Sequence, residues 1–336
     1  MTSIIDKIIS SVISAQNCSL MYQIMDQTLI LSSSCNSLLS SFDQSLSAWN
    51  KVKKENSKCI CLFSATTDIC DSISFIKNEK PIRIINDKCT GKAMIYQLYG
   101  YTVFYHVNVG YMIQKDTNTF ICIMEKNTEP INKDLTINTL TITHIIISLT
   151  LFLSDKILVH AGAISHNGKT ILITGNGGAG KSTAVLRHVE AGWTFYGDDL
   201  VIIGKKNNRW FVWPYWRPVK TSKKTCQIIK SLLPYYDGQD NHTKKVLQIE
   251  KIFDLDYPES SPIDEIYMIS NNDNFELNQL SLTDSFALLS QTFLYYFLPS
   301  HGEIMLNHIL DICDSINIYS ASRLFFENKF SEKHRF

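Results

Sequence analysis

A charge excess of either sign is missing from this chain. Among its 336 residues, 32 lysines and arginines balance 32 aspartates and glutamates, so no overall field draws it to nucleic acid or to an anionic membrane. Paired metal-binding cysteines are missing as well. The nine cysteines are odd in number and scattered, only Cys59 and Cys61 stand close together, and no C-x-x-C pairs have zinc spacing. That pattern fits reduced thiols and a cytoplasmic location. Nor is there a run long enough to span a bilayer. The apolar stretch 145–153 is preceded by His144 and several threonines and interrupted by Ser154 and Asp155, and it reads as a core helix feeding a strand over 156–160. The N-terminus lacks the pattern of a secretion signal: Asp6 and Lys7 stand among Ile4, Ile5, Ile8, Ile9, Val12 and Ile13, spaced as in an amphipathic helix. Internal repeats and low-complexity tracts are absent.

What is present divides into two halves, as the length leads one to expect. The polar segment 125–134, with Pro130, is the boundary the sequence suggests. It separates a β-rich α+β domain over 1–130, suited to meeting a substrate or partner, from residues 131–336. In the first half, 101–107, 109–114 and 120–124 are rich in aromatic and β-branched residues, with a turn at 116–118, and read as a β-meander. A helix is expected over 37–52 and a solvated loop over 53–58. His106 and the cysteines here read as packed or exposed side chains, since no second ligand stands at a metal spacing.

The second half carries the chemistry. Gly175, Asn176, Gly177, Gly178, Ala179, Gly180, Lys181, Ser182 and Thr183 fit the pattern G-x-x-x-x-G-K-[ST], a loop whose backbone amides cradle nucleotide phosphates. Four of the chain's 14 glycines fall in these nine residues, because bare backbone reaches positive φ and turns several N–H groups toward one anion. The context agrees: 169–174 reads as a buried strand, and 183–191 carries Val185, Leu186 and Val189 at helical spacing before Gly192. Upstream, Asn167-Gly168 between two apolar runs, 158–165 and 169–174, signals a hairpin. The strand before the loop would then have an antiparallel neighbour, unlike the all-parallel sheets of most such proteins.

Phosphoryl transfer needs amides and a cation on the phosphates, a metal held by hydroxyl and carboxylate, and a group to accept the nucleophile's proton. Lys181 and Ser182 supply the first elements. Past the helix, 192–197 reads as a short strand ending in Asp198 and Asp199, which would bring two carboxylates beside the loop. Gly-Asp-Asp before the strand 200–203 also suits a plain turn, so both readings stand. His160, alone on an apolar strand, is either a hydrogen-bonded core residue or a phosphate contact at the strand's end.

Together, His160-Ala-Gly-Ala-Ile-Ser165, the loop 175–182 and Gly197-Asp198-Asp199 resemble, in order and spacing, the catalytic domain of HPr kinase/phosphorylase and its stand-alone relatives. The resemblance implies an α/β fold: a PEP carboxykinase-like mixed-sheet P-loop catalytic domain over 131–336. It implies an ATP- and Mg²⁺-dependent kinase that moves the γ-phosphate to a serine or threonine hydroxyl. By the same likeness Asp198 is the proton acceptor, Asp199 a metal and phosphate-site carboxylate, Lys181 the holder of the β- and γ-phosphates, Ser182 a metal ligand and His160 a residue lining the reacting phosphate. The segment 213–218 is similar to a Pro-Arg-Pro segment of the stand-alone relatives and puts Arg217 near the transferred phosphate; Lys220 and Lys223 stand slightly off the lysine that follows there. The later order also resembles those relatives, with strands over 262–269 and 275–280, a helix over 283–298 and a terminal strand over 316–319. The Glu-x-Arg-Gly block of the bifunctional enzymes is missing, and so the likeness does not extend to reverse phosphorolysis. The N-terminal half differs too. The implied acceptor is a small protein or peptide, such as a precursor peptide, with no nucleic-acid or membrane partner. A kinase of a free amino acid or sugar and a non-catalytic ATP-responsive binding protein are the alternatives, and an oligomer is left open.

Overall fold

In the computed structural model of the protein, the residues described are 3–16, 18–33, 39–40, 42–43, 46, 49, 51, 58–64, 71–87, 91–106, 110–116, 118–124, 135–215, 217–236, 245–270, 276–293 and 302–329. The fold is mixed α/β with several sheets. The chain divides into two compact units, Met1–Ser154 with Tyr296–Ser300, and Asp155–Tyr295 with His301–Phe336. The boundary segment expected at 125–134 lies outside the described residues, as does most of the helix expected over 37–52.

The first unit is built on eight strands: β1 (Cys18–Ile24), β2 (Gln27–Ser33), β3 (Lys58–Ser64), β4 (Arg83–Asp87), β5 (Gly91–Leu98), β6 (Tyr101–His106), β7 (Gly110–Gln114) and β8 (Thr119–Met124). They order as β1-β2-β3-β8-β7-β6-β5-β4 in one sheet. The expected meander is there, since β4 to β8 pair antiparallel in sequence order. The parallel pairs β2–β3 and β3–β8 were not legible, because nothing local encodes a long crossover. Helix α1 (Ile4–Ser14) starts at a capping box, in which Ser3 and Asp6 satisfy each other's backbone N–H groups. It buries Ile5, Ile8, Ile9 and Val12 in a core shared with Tyr96, Val103, Tyr111 and Ile113. Helix α2 (Leu135–Phe152) belongs to this unit and buries Ile145, Ile146, Ile147, Leu149 and Leu151. Among the described residues no helix is long and apolar enough to cross a membrane.

The second unit starts with β9 (Lys156–Val159), β10 (Gly162–His166), β11 (Lys169–Thr174), helix α3 (Lys181–Glu190), β12 (Thr194–Gly197), β13 (Val201–Lys206), β14 (Arg209–Trp213), β15 (Val219–Thr221) and α4 (Lys223–Ile228). It continues through β16 (Lys245–Leu247), α5 (Ile249–Ile252), β17 (Ser261–Pro262), β18 (Glu265–Ser270), β19 (Leu277–Gln279), α6 (Leu282–Phe293), α7 (Gly302–Ser315), β20 (Asn317–Ser322) and α8 (Arg323–Lys329). A six-stranded sheet runs β12-β10-β11-β18-β20-β19, a four-stranded one β17-β14-β13-β9, and β15 pairs with β16. The hairpin β10–β11 closes in register from Gly162↔Ile173 to His166↔Lys169, with Asn167 and Gly168 at φ 50° and 78°, the double positive φ of a two-residue hairpin turn. On its other side β11 pairs parallel with β18, so it has one neighbour of each kind. The end of the expected helix over 283–298 lies outside the described residues past Phe293.

Two expectations need correction. The strand expected over 262–269 is broken, since β17 ends at Pro262 in the four-stranded sheet and β18 begins at Glu265 in the six-stranded one. The runs 156–160 and 158–165 are not continuous strand: β9 stops at Val159, and β10 begins at Gly162 in a different sheet. The second chain segment makes the same crossing, from β12 in the six-stranded sheet to β13 in the four-stranded one. Because β9 pairs with β13 and β10 with β12, both crossings fall at the same level. Glycine makes the fit. A Cβ on Gly162 would lie 2.5 Å from Val185 Cγ2 and 3.1 Å from the Asp198 carbonyl, and one on Gly197 would lie 2.6 Å from the Leu200 carbonyl.

Candidate active site

The glycine-rich loop 175–180 is held at both ends. Gly175 follows β11 at φ 140°, and a Cβ there would sit 2.4 Å from the Ile269 carbonyl of the parallel neighbour β18. Gly178 and Gly180 also take positive φ, 83° and 102°, and Gly180 is the N-cap of α3 without a side-chain cap bond. The first-turn amides of a helix point past its end, where they and the helix dipole favour an anion. Lys181 opens the helix, is buried, and its Nζ donates to the carbonyls of Gly175 at 2.7 Å and Asn176 at 3.3 Å. The ammonium thus braces the turn that precedes it. Ala179 is buried, its N–H donating to the Asn176 carbonyl at 3.2 Å. Thr183, placed in the nucleotide site by the sequence, has its hydroxyl 3.1 Å from that of Thr225 in α4.

Helix α3 is anchored on its inner face by Val185, Leu186, His188 and Val189. His188 donates from Nδ1 to the Ala184 carbonyl at 2.6 Å, with the edge of Trp193 at 4.9 Å between ring centres. Burial depresses its pKa to about 4, with a smaller push from the nearby Arg187.

The two sheet crossings supply the other side chains. His160 sits in the first, between β9 and β10, and Asp198 and Asp199 sit in the second, between β12 and β13. His160 Nε2 is 2.8 Å from Asp199 Oδ1, and Arg217 donates to Asp199 Oδ2, so both carboxylate oxygens are engaged. Thr174 Oγ1, the last side chain of β11 before the loop, donates to the His160 carbonyl at 3.0 Å. That bond ties the root of the glycine-rich loop to the crossing. Arg217 is delivered by the segment after β14, where the Tyr215 N–H donates to the Tyr196 carbonyl at 3.0 Å and Tyr257 Oη donates to the Pro214 carbonyl at 3.0 Å. Burial raises the Tyr215 phenol well above its usual range and keeps it neutral. Asp198 is only 4% exposed, whereas the Asp199 side chain is 40% exposed.

All of this lies at one edge of the six-stranded sheet. The pairings Gly162↔Ile173, Ala163↔Gly197, Thr174↔Met268 and Ser270↔Ser322 put the ends of β11, β12, β18 and β20 and the start of β10 together. Open α/β sheets bind ligands at the carboxyl ends of their strands.

Residues 120–232 match the model of a family described as SynChlorMet cassette protein ScmC, a span that includes the loop, both acids and Arg217. A solved structure, the Hpr(Ser) kinase/phosphatase from Coxiella burnetii, aligns with 49% of this chain and 83% of its own at 14% identity and a TM-score of 0.27. No curated protein matches the chain.

Among the described residues no three His, Cys, Asp or Glu side chains converge to hold a metal. A metal here would take most of its ligands from phosphate and water, as Mg²⁺ commonly does, with few from protein. Spacing along the chain gave no sign of Arg323. Its Cγ and Cδ lie 3.5 Å from where a Cβ on Gly180 would stand, beside the cap of α3. It comes there only because β20 runs parallel to β18 and ends at the same sheet edge.

Proposed function

We propose that this chain is an ATP- and Mg²⁺-dependent phosphotransferase of the HPr kinase-like, PEP carboxykinase-like P-loop kind, acting on a serine or threonine hydroxyl of a small protein or peptide in the cytoplasm. The observation that carries the reading is the convergence of His160, Asp199 and Arg217 at the sheet crossings tied to the root of the phosphate loop. A loop that only binds nucleotide has no need of that acid, base and cation set beside it.

In this reading the amides of residues 177–182 and the Lys181 ammonium hold the β- and γ-phosphates. Ser182 and Asp199 would hold Mg²⁺, which when bound offsets the negative charge of the phosphates. Asp198 takes the proton of the acceptor hydroxyl as its oxygen attacks the γ-phosphorus, and the bond from that phosphorus to the bridging oxygen breaks to leave ADP. His160 and Arg217 hold Asp199 in position, and Arg217 offers a planar fork of donors to the transferring group. Incubating the full chain with γ-labelled ATP and candidate peptides tests the proposal. Label should pass to a peptide hydroxyl, and Asp198→Asn should lower transfer roughly 10²-fold or more while ATP still binds. Equal transfer by that variant would remove Asp198 from the chemistry. ATP consumption with no phosphorylated product, peptide or small molecule, would leave a nucleotide-responsive binding protein.

A further inference from the structure

The balanced total charge hides one basic face. On the four-stranded sheet, opposite residues of an antiparallel pair share a side and every second residue returns to it. The pairings Gly204↔Lys156, Gly204↔Phe211, Lys206↔Arg209 and Ile202↔Trp213 therefore put three cations and two aromatic rings on one side, and no strand position on that side carries an acid. The opposite side differs. There Lys205 Nζ and Trp210 Nε1 donate to Asp311 of α7 at 2.8 and 2.5 Å, so the helix supplies a carboxylate. On the basic face the rings of Phe211 and Trp213 stand 6.1 Å apart between centres, and each carries an ammonium: Lys156 Nζ lies 5.6 Å from the centre of Trp213 and Lys206 Nζ 5.5 Å from that of Phe211. A ring holds an ammonium in place without neutralising it. Arg209 is 63% exposed and stands 3.8 Å from Asp264, and an exposed pair at that separation is worth little. Gly204 lies beneath, where a Cβ would come within 2.9 Å of Lys156 Cγ and 3.4 Å of the Trp213 ring. Its bare backbone lets that pair lie flat on the sheet.

The face runs into the candidate active site. His160 stands two residues past Leu158 of β9 and Arg217 four past Trp213 of β14, so the end of the sheet at Leu158 and Trp213 leads to the crossings. In the other direction Arg209 lies four residues back along β14, ~14 Å of extended chain. We infer that this face docks an extended acidic segment of the phosphate acceptor, and that the protein selects peptides with carboxylates several residues from the reacting hydroxyl. The inference rests on the kinase reading above and adds the chemistry of the acceptor. Charge complementarity chooses the occupant, since three cations on a face without an acid attract an anionic chain. Lys156 stands one pleat closer to the crossings than Lys206 and Arg209, the spacing of alternate side chains in an extended peptide. A nucleic acid fits less well. Bases bind such faces by stacking on open rings, and here an ammonium stands over each ring. Carboxylates need only the cationic heads.

Titration of the full chain with fluorescein-labelled peptides, read by anisotropy at low salt, tests this. Each peptide has one serine and a run of glutamates beginning about four residues from it, on the N-terminal side in one version and the C-terminal side in another, with glutamine in place of glutamate in the controls. The better acidic peptide should bind roughly tenfold or more tightly than its glutamine control. Lys206→Glu combined with Arg209→Glu, both exposed and outside the reacting groups, should erase that preference, whereas Lys251→Glu, exposed on α5, should change it less than about twofold. In transfer from γ-labelled ATP the double variant should raise KM for the acidic peptide and keep kcat within about twofold of native. No preference for glutamate over glutamine, or a preference that survives the double variant, overturns the docking face and spares the kinase reading. Oligouridylate binding that exceeds both acidic peptides and is lost in the double variant overturns it in favour of nucleic acid. Preferential peptide binding that is lost in the double variant, with no label passing to any peptide, leaves the acidic-segment face standing and removes the kinase reading.

Discussion

The carbonyl of Ile269 separates the loop glycines into two kinds. Gly175 packs under it at positive φ, and an added methyl would have to enter a 2.4 Å gap, whereas Gly177 faces open space at an ordinary φ. Gly175→Ala should therefore cost about 1–3 kcal/mol of stability and Gly177→Ala less than about 0.5 kcal/mol, as urea titration would report. Equal effects would mean the loop does not pack under β18. Arg217 has a different role, because its guanidinium donates to Asp199. Arg217→Ala should leave ATP affinity within a few-fold of native and lower phosphoryl transfer roughly 10²-fold, a split that steady-state kinetics can resolve. At this scale the sequence marked the loop, the acids and His160. It did not mark Arg323, which reaches Gly180 from the far end of the chain, nor the use of the Thr183 hydroxyl against Thr225.

Among the elements, α3 carries a built-in response to acid. His188 is buried on it and keeps its proton off down to about pH 4, whereas in the unfolded chain the same imidazole titrates near its ordinary value of 6.5. Between those limits the unfolded state binds the extra proton, so stability falls as pH falls through 6.5 and the loss levels off below 4. The shift is worth about 3 kcal/mol, and the loss should appear as a lower melting temperature of the second unit from pH 7 to pH 4.5. His188→Asn should flatten that slope; an unchanged slope would place its origin in other groups. The β10–β11 hairpin and α3 were legible because local residues encode them: Asn167-Gly168 supplies the turn, and Val185, Leu186 and Val189 supply the face. The break at His160 was not. A run of apolar residues looks the same whether it stays in one sheet or steps to another, since the step is set by partners distant in sequence, β12 and β13.

For the whole molecule, the two units have separate cores, one around α1 and the meander and one around α3 and the six-stranded sheet. The residues described in these two cores are different ones, and units with their own cores need not melt together. Scanning calorimetry of the full chain should resolve two transitions, and magnesium tripolyphosphate should raise only one. Three of the chain's five tryptophans, Trp193, Trp210 and Trp213, are described residues of the second unit, so intrinsic fluorescence should follow the transition that shifts. A shift of both transitions together would mean that the units unfold as one. The sequence by itself determined the strand, glycine-rich loop and helix, the hairpin before them and the helical N-terminus, because in each the turn residues, caps and apolar period lie within a few positions of one another. Only the tertiary structure decided that His160, Asp199 and Arg217 meet, that Arg323 stands beside Gly180, and that Lys156, Lys206 and Arg209 share one sheet face. Those contacts depend on strand order and on two sheet crossings at one level, and pairing between remote segments leaves no periodic mark in the chain that makes it.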